Sequence, residues 1–225
     1  MKISEKCKVI AAGTIVAALM AGTALPALAI SPAGCTSLAQ IEEMNDDEEA
    51  QVQALKAAIA KVNVKYDEVQ RSWQFDSPIY DKAEKNKTCC LSPWIYIFDG
   101  CKDVYFDEDF SYNGSSCIDL NTVYVRAGDN LYTYECDPDY TDYAYDTDKK
   151  VWWAFSTFEM EPSEIDWLRE MLSAKTIITR YSGASGAQYD YTWTADDRQA
   201  VTDMVNLYDL LVAASPEVRA RALRG

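Results

Sequence analysis

The spacing of apolar residues predicts a long amphipathic helix near the N-terminus, from Ser37 to about Gln70. Apolar positions recur there at intervals of three and four, as they do along one face of a helix. Ser37 and Gln40 fit a capping box at its start. The segment "VNVKY" also alternates as a strand does, but the three-four spacing continues through it and favours helix. The apolar positions are Ile41, Met44, Val52, Leu55, Ile59, Val62, Tyr66 and Val69.

This N-terminal helical segment, residues 30–72, has two interpretations. A heptad-like seam favours a stalk that forms a homodimer as a coiled coil through residues 37–70. The seam is short for a free coiled coil, however, and a helix packed on its own domain has the same pattern. The sequence leaves both open.

The central region changes to short runs of β-branched and aromatic residues, which predict an antiparallel β-meander. Residues 77–90 read as a polar linker before it. Asn113-Gly114 suits a tight turn, and residues 127–130 suit a hairpin. The predicted strands are Trp94–Asp99, Val104–Asp107, Thr122–Arg126, Leu131–Glu135 and Val151–Phe158.

The last third predicts a helix, a hairpin and a second helix. Residues 162–172 have helical spacing with Pro162 in the first turn. "TIITRY" and "QYDYTWT" predict two strands around the glycine turn "SGASGA". Thr194 caps a helix to about Ala214, and residues 215–225 form a basic, frayed tail. The expected fold class is therefore α+β, with an α+β domain over residues 73–214.

Residues 1–29 have the pattern of a signal peptide. Lys2, Lys6 and Lys8 precede a long uncharged run, and Ala27-Leu28-Ala29 offers the small residues that signal peptidase requires. The uncharged run is also long enough for a membrane anchor, but Pro26 and the cleavage site favour removal. We expect a secreted protein, with a lipoprotein anchored to the membrane at Cys35 as the alternative, because "AGC" matches part of a lipobox.

Cleavage after Ala29 leaves six cysteines, and an exported chain usually pairs its cysteines. The sequence therefore predicts disulfides that staple the meander, with their pairing undetermined. No CxxC pair is present, so zinc is a weaker interpretation. The predicted disulfide cysteines are Cys35, Cys89, Cys90, Cys101, Cys117 and Cys136.

Charge and composition exclude several functions. The chain carries a net charge of −15 and residues 1–29 carry +2, so the mature protein carries −17. Phosphate backbones and anionic lipids would be repelled, which argues against nucleic acid as a partner. The chain has no histidine, which excludes Ser-His-Asp and Cys-His catalysis and histidine-ligated metals.

The stretch "CDPDYTDYAYDTD", residues 136–148, is rich in oxygen ligands of the kind that Ca²⁺ binds. It lacks the glycine and the final glutamate of an EF-hand loop, so a solvated acidic loop is the competing interpretation, and no other cofactor is expected. Tyrosines in the same stretch offer amphipathic surface for a sugar or protein. The calcium candidates are Asp137, Asp139, Asp142, Asp146 and Asp148, and the tyrosines are Tyr140, Tyr143 and Tyr145.

Carboxylates among aromatic residues offer the remaining catalytic chemistry, because a pair of acids can hydrolyse a glycosidic bond. Asp107, Glu108 and Asp109 are the best placed of them, but a solvated loop is the favoured interpretation of this stretch. Trp152 and Trp153 are adjacent on a predicted strand, so they should point to opposite faces, one toward the core and one toward a helix or a ligand.

The C-terminal segment, about residues 161–211, resembles uncharacterised secreted and lipoprotein-type proteins of Gram-positive gut bacteria. The similarity lies in "WLREMLSAKTIITRYSG" and "YDYTWTADDRQAVTDMVNLYDLL", and it implies an extracytoplasmic accessory domain without an activity. We therefore expect a non-catalytic binding or interaction module with a protein or glycan partner. The alternatives are a carboxylate-dependent glycan hydrolase and a structural, stalk-mediated dimer.

Overall fold

The computed structural model of the protein describes residues 38–99 and 103–224, with side chains from residue 47 onward. The predicted signal peptide, Cys35 and Cys101 lie outside these residues. Within them, no helix is both long and apolar enough to cross a membrane. The helices are α1 Leu38–Ile59, α2 Ile79–Asn86, α3 Pro162–Ser173, α4 Ala195–Ala213 and α5 Pro216–Arg224. The strands are β1 Asn63–Asp67, β2 Ser72–Asp76, β3 Cys90–Phe98, β4 Tyr105–Gly114, β5 Leu120–Ala127, β6 Asn130–Glu135, β7 Thr141–Asp146, β8 Val151–Glu159, β9 Ile177–Gly183 and β10 Gln188–Thr192.

The strands form two antiparallel sheets, which confirms the α+β class. The six-stranded sheet has the order β1-β2-β3-β4-β8-β7, and the four-stranded sheet has the order β10-β9-β5-β6. The main core includes the inner faces of both sheets. Phe110 of β4 meets Tyr134 of β6 with ring centroids 4.9 Å apart, and Tyr112 meets Tyr181 at 5.8 Å. Aromatic side chains thus connect the two sheets.

The predicted N-terminal helix is shorter than its apolar spacing indicated. It ends at Ile59, and residues 63–76 form the β1–β2 hairpin instead. The Asp67 carboxylate accepts hydrogen bonds from the backbone N–H groups of Val69 and Gln70, which fixes the turn. Tyr66 and Trp73 then pair across the strands at 5.0 Å. The side-chain turn and the cross-strand ring contact favour the hairpin over further helix.

The apolar seam of α1 lies in the core of its own domain. Val52 and Leu55 are buried, and Ile59 packs against the same cluster. The helix contacts α4 and α5. This packing occupies the side chains that a coiled-coil stalk would need, so the dimer through residues 37–70 stays a prediction without support from this surface.

Two segments that the sequence presented as linker and tail are helices. In the predicted linker, α2 buries Ile79 and Ala83, which form a small cluster with Cys90. In the predicted frayed tail, α5 buries Val218 and Ala222. Each buries only a narrow apolar stripe, so the polar composition of its exposed faces hid the helix.

The prediction of a disulfide-stapled meander is wrong for the cysteines that the structure describes. Cys89, Cys90, Cys117 and Cys136 are all free thiols there. Cys89 joins the main core, whereas Cys90 packs under α2, because adjacent strand residues point to opposite faces. The predicted strands also divide between two sheets, with β5 pairing to β6 and β9 rather than to β4. Burial raises the pKa of the Cys89 thiol to about 12, which keeps it protonated and unreactive.

The C-terminal helix, hairpin and helix are confirmed as α3, β9–β10 and α4. Thr194 caps α4, since its hydroxyl oxygen accepts the backbone N–H of Asp197 at 3.2 Å. The Asp197 carboxylate accepts the backbone N–H of Thr194 in return, at 2.6 Å. This reciprocal pair is a capping box.

We expect Thr194→Ala to lower the free energy of unfolding by ~1 kcal/mol, because the first turn of α4 loses its cap. Urea denaturation followed by circular dichroism measures this change. Thr202→Ala is the matched control, because the Thr202 hydroxyl donates to the Arg198 carbonyl inside the same helix. A loss at Thr194 no greater than the loss at Thr202 would contradict the capping role.

Candidate functional site

The candidate site lies on the face of the six-stranded sheet that points away from the four-stranded sheet, which we call the outer face. Phe106 and Phe110 of β4 point into the core and are fully buried. Because strand residues alternate between faces, Asp107 and Asp109 point to the outer face. The register places Trp94 of β3 opposite Asp107 and Glu159 of β8 on its other side.

The two aspartates of β4 occupy a strongly desolvated environment. Asp107 is only 7% exposed, and burial, with the charges of Glu159 and Asp109 adding to it, raises its pKa to about 7. Burial also raises the pKa of Asp109, although the Thr157 hydroxyl donates to its carboxylate at 2.6 Å and partly opposes the rise. The outer face therefore holds one acid that titrates near neutrality beside others that can accept hydrogen bonds.

Three of the six buried side-chain atoms that lack a hydrogen-bond partner among the described residues lie on this face. Among the described residues, Trp94 Nε1, Asp107 Oδ1 and Ser111 Oγ are buried without a hydrogen bond of ordinary geometry, although the Trp94 indole is close enough to Asp109 to lower the pKa of that carboxyl group. Trp94 and Asp107 are register partners on β3 and β4, whereas Ser111 lies four residues further along β4, opposite Cys90. Buried polar groups are nearly always paired, so these unpaired groups require an explanation.

Aromatic rings flank the carboxylates on both sides. Tyr96 and Tyr105 stack with centroids 4.9 Å apart and planes 9° from parallel. On β8, Trp153 and Phe155 stack at 5.8 Å. Trp152 instead packs against the core and Tyr145, so the predicted opposite orientation of the two tryptophans is confirmed.

Helix α2 crosses this face and divides it into two clefts on either side of Tyr80. The first cleft has a volume of about 300 Å³ and is lined by Trp94, Asp109 and polar residues of β1 and β2. The second has about 250 Å³ and is lined by Trp153, Phe155 and Ser111. Tyr80 lines both and is 44% exposed. Each cleft thus offers a tryptophan beside oxygen-bearing side chains.

The three carboxylates that the sequence suggested are not brought together. Asp107 and Asp109 share the outer face, but Glu108 points into the core, where it is fully buried. Both of its carboxylate oxygens lack a hydrogen-bond partner among the described residues. Alternation along β4 separates Glu108 from the site.

The five aspartates proposed for calcium mostly satisfy backbone groups. Asp137 accepts the N–H of Asp139 at 2.9 Å, and Asp146 accepts the N–H groups of Asp148 and Lys149. Asp142 lies on β7. Over the described part of the chain, no group of three or more acidic, cysteine or histidine side chains is arranged to hold a metal ion.

The tyrosines of the same stretch lie apart from the clefts. Tyr143 and Tyr145 are exposed at 48% and 47%. Both alternate with Asp142 and Asp146 on β7, so they belong to the opposite side of the sheet. Tyr140, on the turn before β7, is also exposed.

Sequence reasoning missed Tyr80 and Trp94 as site residues. Tyr80 lies in the segment interpreted as a linker, and Trp94 appeared only as a strand residue. The signal was present in β3, where Ser92, Trp94 and Tyr96 alternate with apolar residues. Such alternation indicates a strand with one face in the core and a second face available for other contacts.

No protein-family model matches the chain, and no curated protein shows significant similarity to it. A solved structure that matches is the crystal structure of a novel protein of unknown function from Burkholderia pseudomallei K96243, at 13% identity. The match covers 78% of this chain and 99% of that chain with a TM-score of 0.24. A similarity this low carries no information on fold or function.

Proposed function

We propose that the protein is a non-catalytic module that binds a neutral glycan along the outer face of the six-stranded sheet. The observation that carries this proposal is that each of two clefts combines aromatic rings with a buried, unpaired polar atom, Trp94 Nε1 in the first and Ser111 Oγ in the second. The C–H faces of a sugar ring pack on aromatic rings, while its hydroxyl groups both donate and accept hydrogen bonds. The combination of amphipathic rings and a few fixed polar groups is typical of a ligand site.

The charges of the clefts favour a neutral ligand over an acidic one. Asp76, Asp81 and Asp109 line the first cleft, and Glu84 and Asp146 line the second, together with Lys149. Carboxylates accept hydrogen bonds from sugar hydroxyls but repel carboxylated or sulfated sugars. The predicted signal peptide makes an extracytoplasmic glycan the relevant source, and the resemblance to exported accessory domains supports the same location.

Two clefts that share Tyr80 suit a ligand of several sugar units. Tyr80 lies between them, so a chain that reaches both would cross its exposed ring. We therefore expect oligosaccharides to bind more tightly than monosaccharides, because each cleft adds contacts without a second loss of translational freedom.

We expect Trp94→Ala to weaken binding of a glycan hexamer at least tenfold, or ~1.4 kcal/mol, because the first cleft loses its ring. Isothermal titration calorimetry with cello-, xylo- and N-acetylchito-hexaose measures this. Trp153→Ala tests the second cleft in the same way. Tyr143→Ala is the matched control, since it removes an exposed ring from the other side of the sheet.

The assignment of the site would be contradicted if Trp94→Ala and Tyr143→Ala lost the same amount of glycan affinity. It would also be contradicted if Trp94→Ala and Trp153→Ala both bound the glycan as tightly as the wild type. Thermal unfolding of each variant shows whether it keeps the wild-type fold. Absence of binding across the three hexamers would overturn the neutral-glycan proposal.

A glycan hydrolase is the second candidate, because Asp107 has a pKa of about 7 and faces Glu159 across the β4–β8 ladder. An acid protonated near neutrality beside a second carboxylate is the pairing that glycosidases use. Release of reducing ends from the hexamer that Asp107→Asn abolishes would establish this activity. Binding without release supports the non-catalytic module.

A further inference from the structure

The outer face of the four-stranded sheet carries a second hollow with different chemistry. Its volume is about 410 Å³, which suits a small ligand. Arg126 of β5 and Arg180 of β9 line it, together with Tyr124 and Leu131. Val123 and Val125 are fully buried, so the alternating Tyr124 and Arg126 point outward.

The two arginines are diagonal neighbours in the sheet. Arg126 pairs in register with Ile178, and Arg180 pairs with Tyr124. Side chains at such diagonal positions are within reach of one another when they are long. Two guanidinium groups therefore share one hollow on a chain whose net charge is −15.

The two guanidinium groups differ in their partners. Arg180 donates from Nε and Nη2 to both carboxylate oxygens of Asp190, at 2.6 and 2.7 Å. This fork-to-fork contact fixes the orientation of Arg180 and neutralises its charge. Arg126 is exposed and forms no ion pair or side-chain hydrogen bond with the described residues. The hollow thus has one uncompensated positive charge beside an oriented guanidinium.

We propose that this hollow binds a ring-sized ligand with one carboxylate, of the hexuronic acid type. The carboxylate pairs with the free fork of Arg126, because a planar guanidinium matches a carboxylate in geometry as well as charge. Tyr124 and Leu131, which is 52% exposed, supply flat apolar surface for the ring. The single uncompensated positive charge of the hollow matches the single negative charge of the ligand's carboxylate.

The test is a titration of the ¹⁵N-labelled full chain with D-glucuronate in physiological salt, followed through the Nε–Hε signals of the arginines. D-glucose is the neutral counterpart of the probe. We expect saturable shifts at Arg126 and Arg180 with glucuronate and none with glucose. Arg126→Gln should weaken glucuronate binding at least tenfold. Arg126→Lys keeps the positive charge but not the planar guanidinium, so its affinity should lie between those of the wild type and Arg126→Gln.

Arg221→Gln is the matched control, because it removes an exposed arginine that pairs with Glu48 and Glu49 of α1, not with the hollow. It should bind glucuronate as the wild type does, and so should Trp94→Ala, which separates this site from the glycan site proposed above. The proposal is overturned by an absence of saturable shifts, by equal shifts with glucose, or by unchanged binding in Arg126→Gln.

Discussion

Replacement of Glu108 by glutamine is expected to leave the stability of the protein nearly unchanged at pH 4 and to raise it increasingly above pH 4.5, by ~1.4 kcal/mol for each pH unit. Glu108 lies at the centre of β4, fully buried. Neither carboxylate oxygen has a hydrogen-bond partner among the described residues. Burial, together with the charges of Glu164 and Asp109, raises its pKa well above the ordinary value of 4.5.

The direction of this effect follows from where the proton is bound. The folded protein keeps Glu108 protonated, whereas the unfolded chain ionises it above pH 4.5. Below pH 4.5 Glu108 is protonated in both states and costs the protein no stability. Above pH 4.5 the free energy of unfolding falls by ~1.4 kcal/mol for each pH unit, until the pKa of Glu108 in the folded protein is reached. Glutamine has the shape of the protonated acid without the ionisation, so it removes this loss.

The measurement is the free energy of unfolding in urea between pH 4 and pH 9. Asp107 adds a similar slope between pH 3.8 and about 7 in both proteins, so it cancels in the difference between wild type and variant, which isolates Glu108. Glu68→Gln is the control, because Glu68 is exposed in the β1–β2 turn. A Glu108→Gln gain that does not increase with pH would show that this carboxylate is not held protonated.

Phe110→Ala is expected to lower the free energy of unfolding by ~4 kcal/mol, because it opens a cavity between the two sheets. Phe110 is 0% exposed. Its ring lies 4.9 Å from Tyr134 and 5.7 Å from Phe158. A loss of this size is a large part of the ~5–15 kcal/mol that stabilises a typical domain.

The free energy of unfolding in urea at pH 5, where ionisation of Glu108 in the unfolded chain has lowered the stability only slightly, measures this loss. Phe110→Leu fills most of the same space and should reduce stability by only ~1 kcal/mol. If alanine and leucine were equally destabilising, the effect would come from the strand and not from a cavity at the interface of the sheets.

The sequence was most informative where a local pattern and its caps agreed. Thr194 and Asp197 mark the start of α4, and the residues that follow have helical spacing, so the helix was predicted with its cap. The β5–β6 and β9–β10 hairpins were also predicted, because Gly128 and Gly186 have the positive φ that their turns require. These features depend on neighbours in sequence.

Prediction failed where a segment gains its stability from distant residues. α2 is only eight residues long and would not form alone in water, so its helix depends on burial of Ile79 and Ala83 against Cys90. Residues 62–66 had helical and strand spacing at once, and pairing within the β1–β2 hairpin, with β2 in turn paired to β3, decided between them.

The candidate site was predicted only in part for the same reason. The aromatic and acidic character of β4 pointed to Asp107 and Asp109, but Tyr80 enters the site through a helix that the sequence did not predict. The sequence alone determined the chemistry available: abundant carboxylates and aromatic rings, and no histidine. The tertiary structure decided which carboxylates share a face with the rings and which are enclosed in the core, because strand register and sheet packing depend on contacts far apart in the chain.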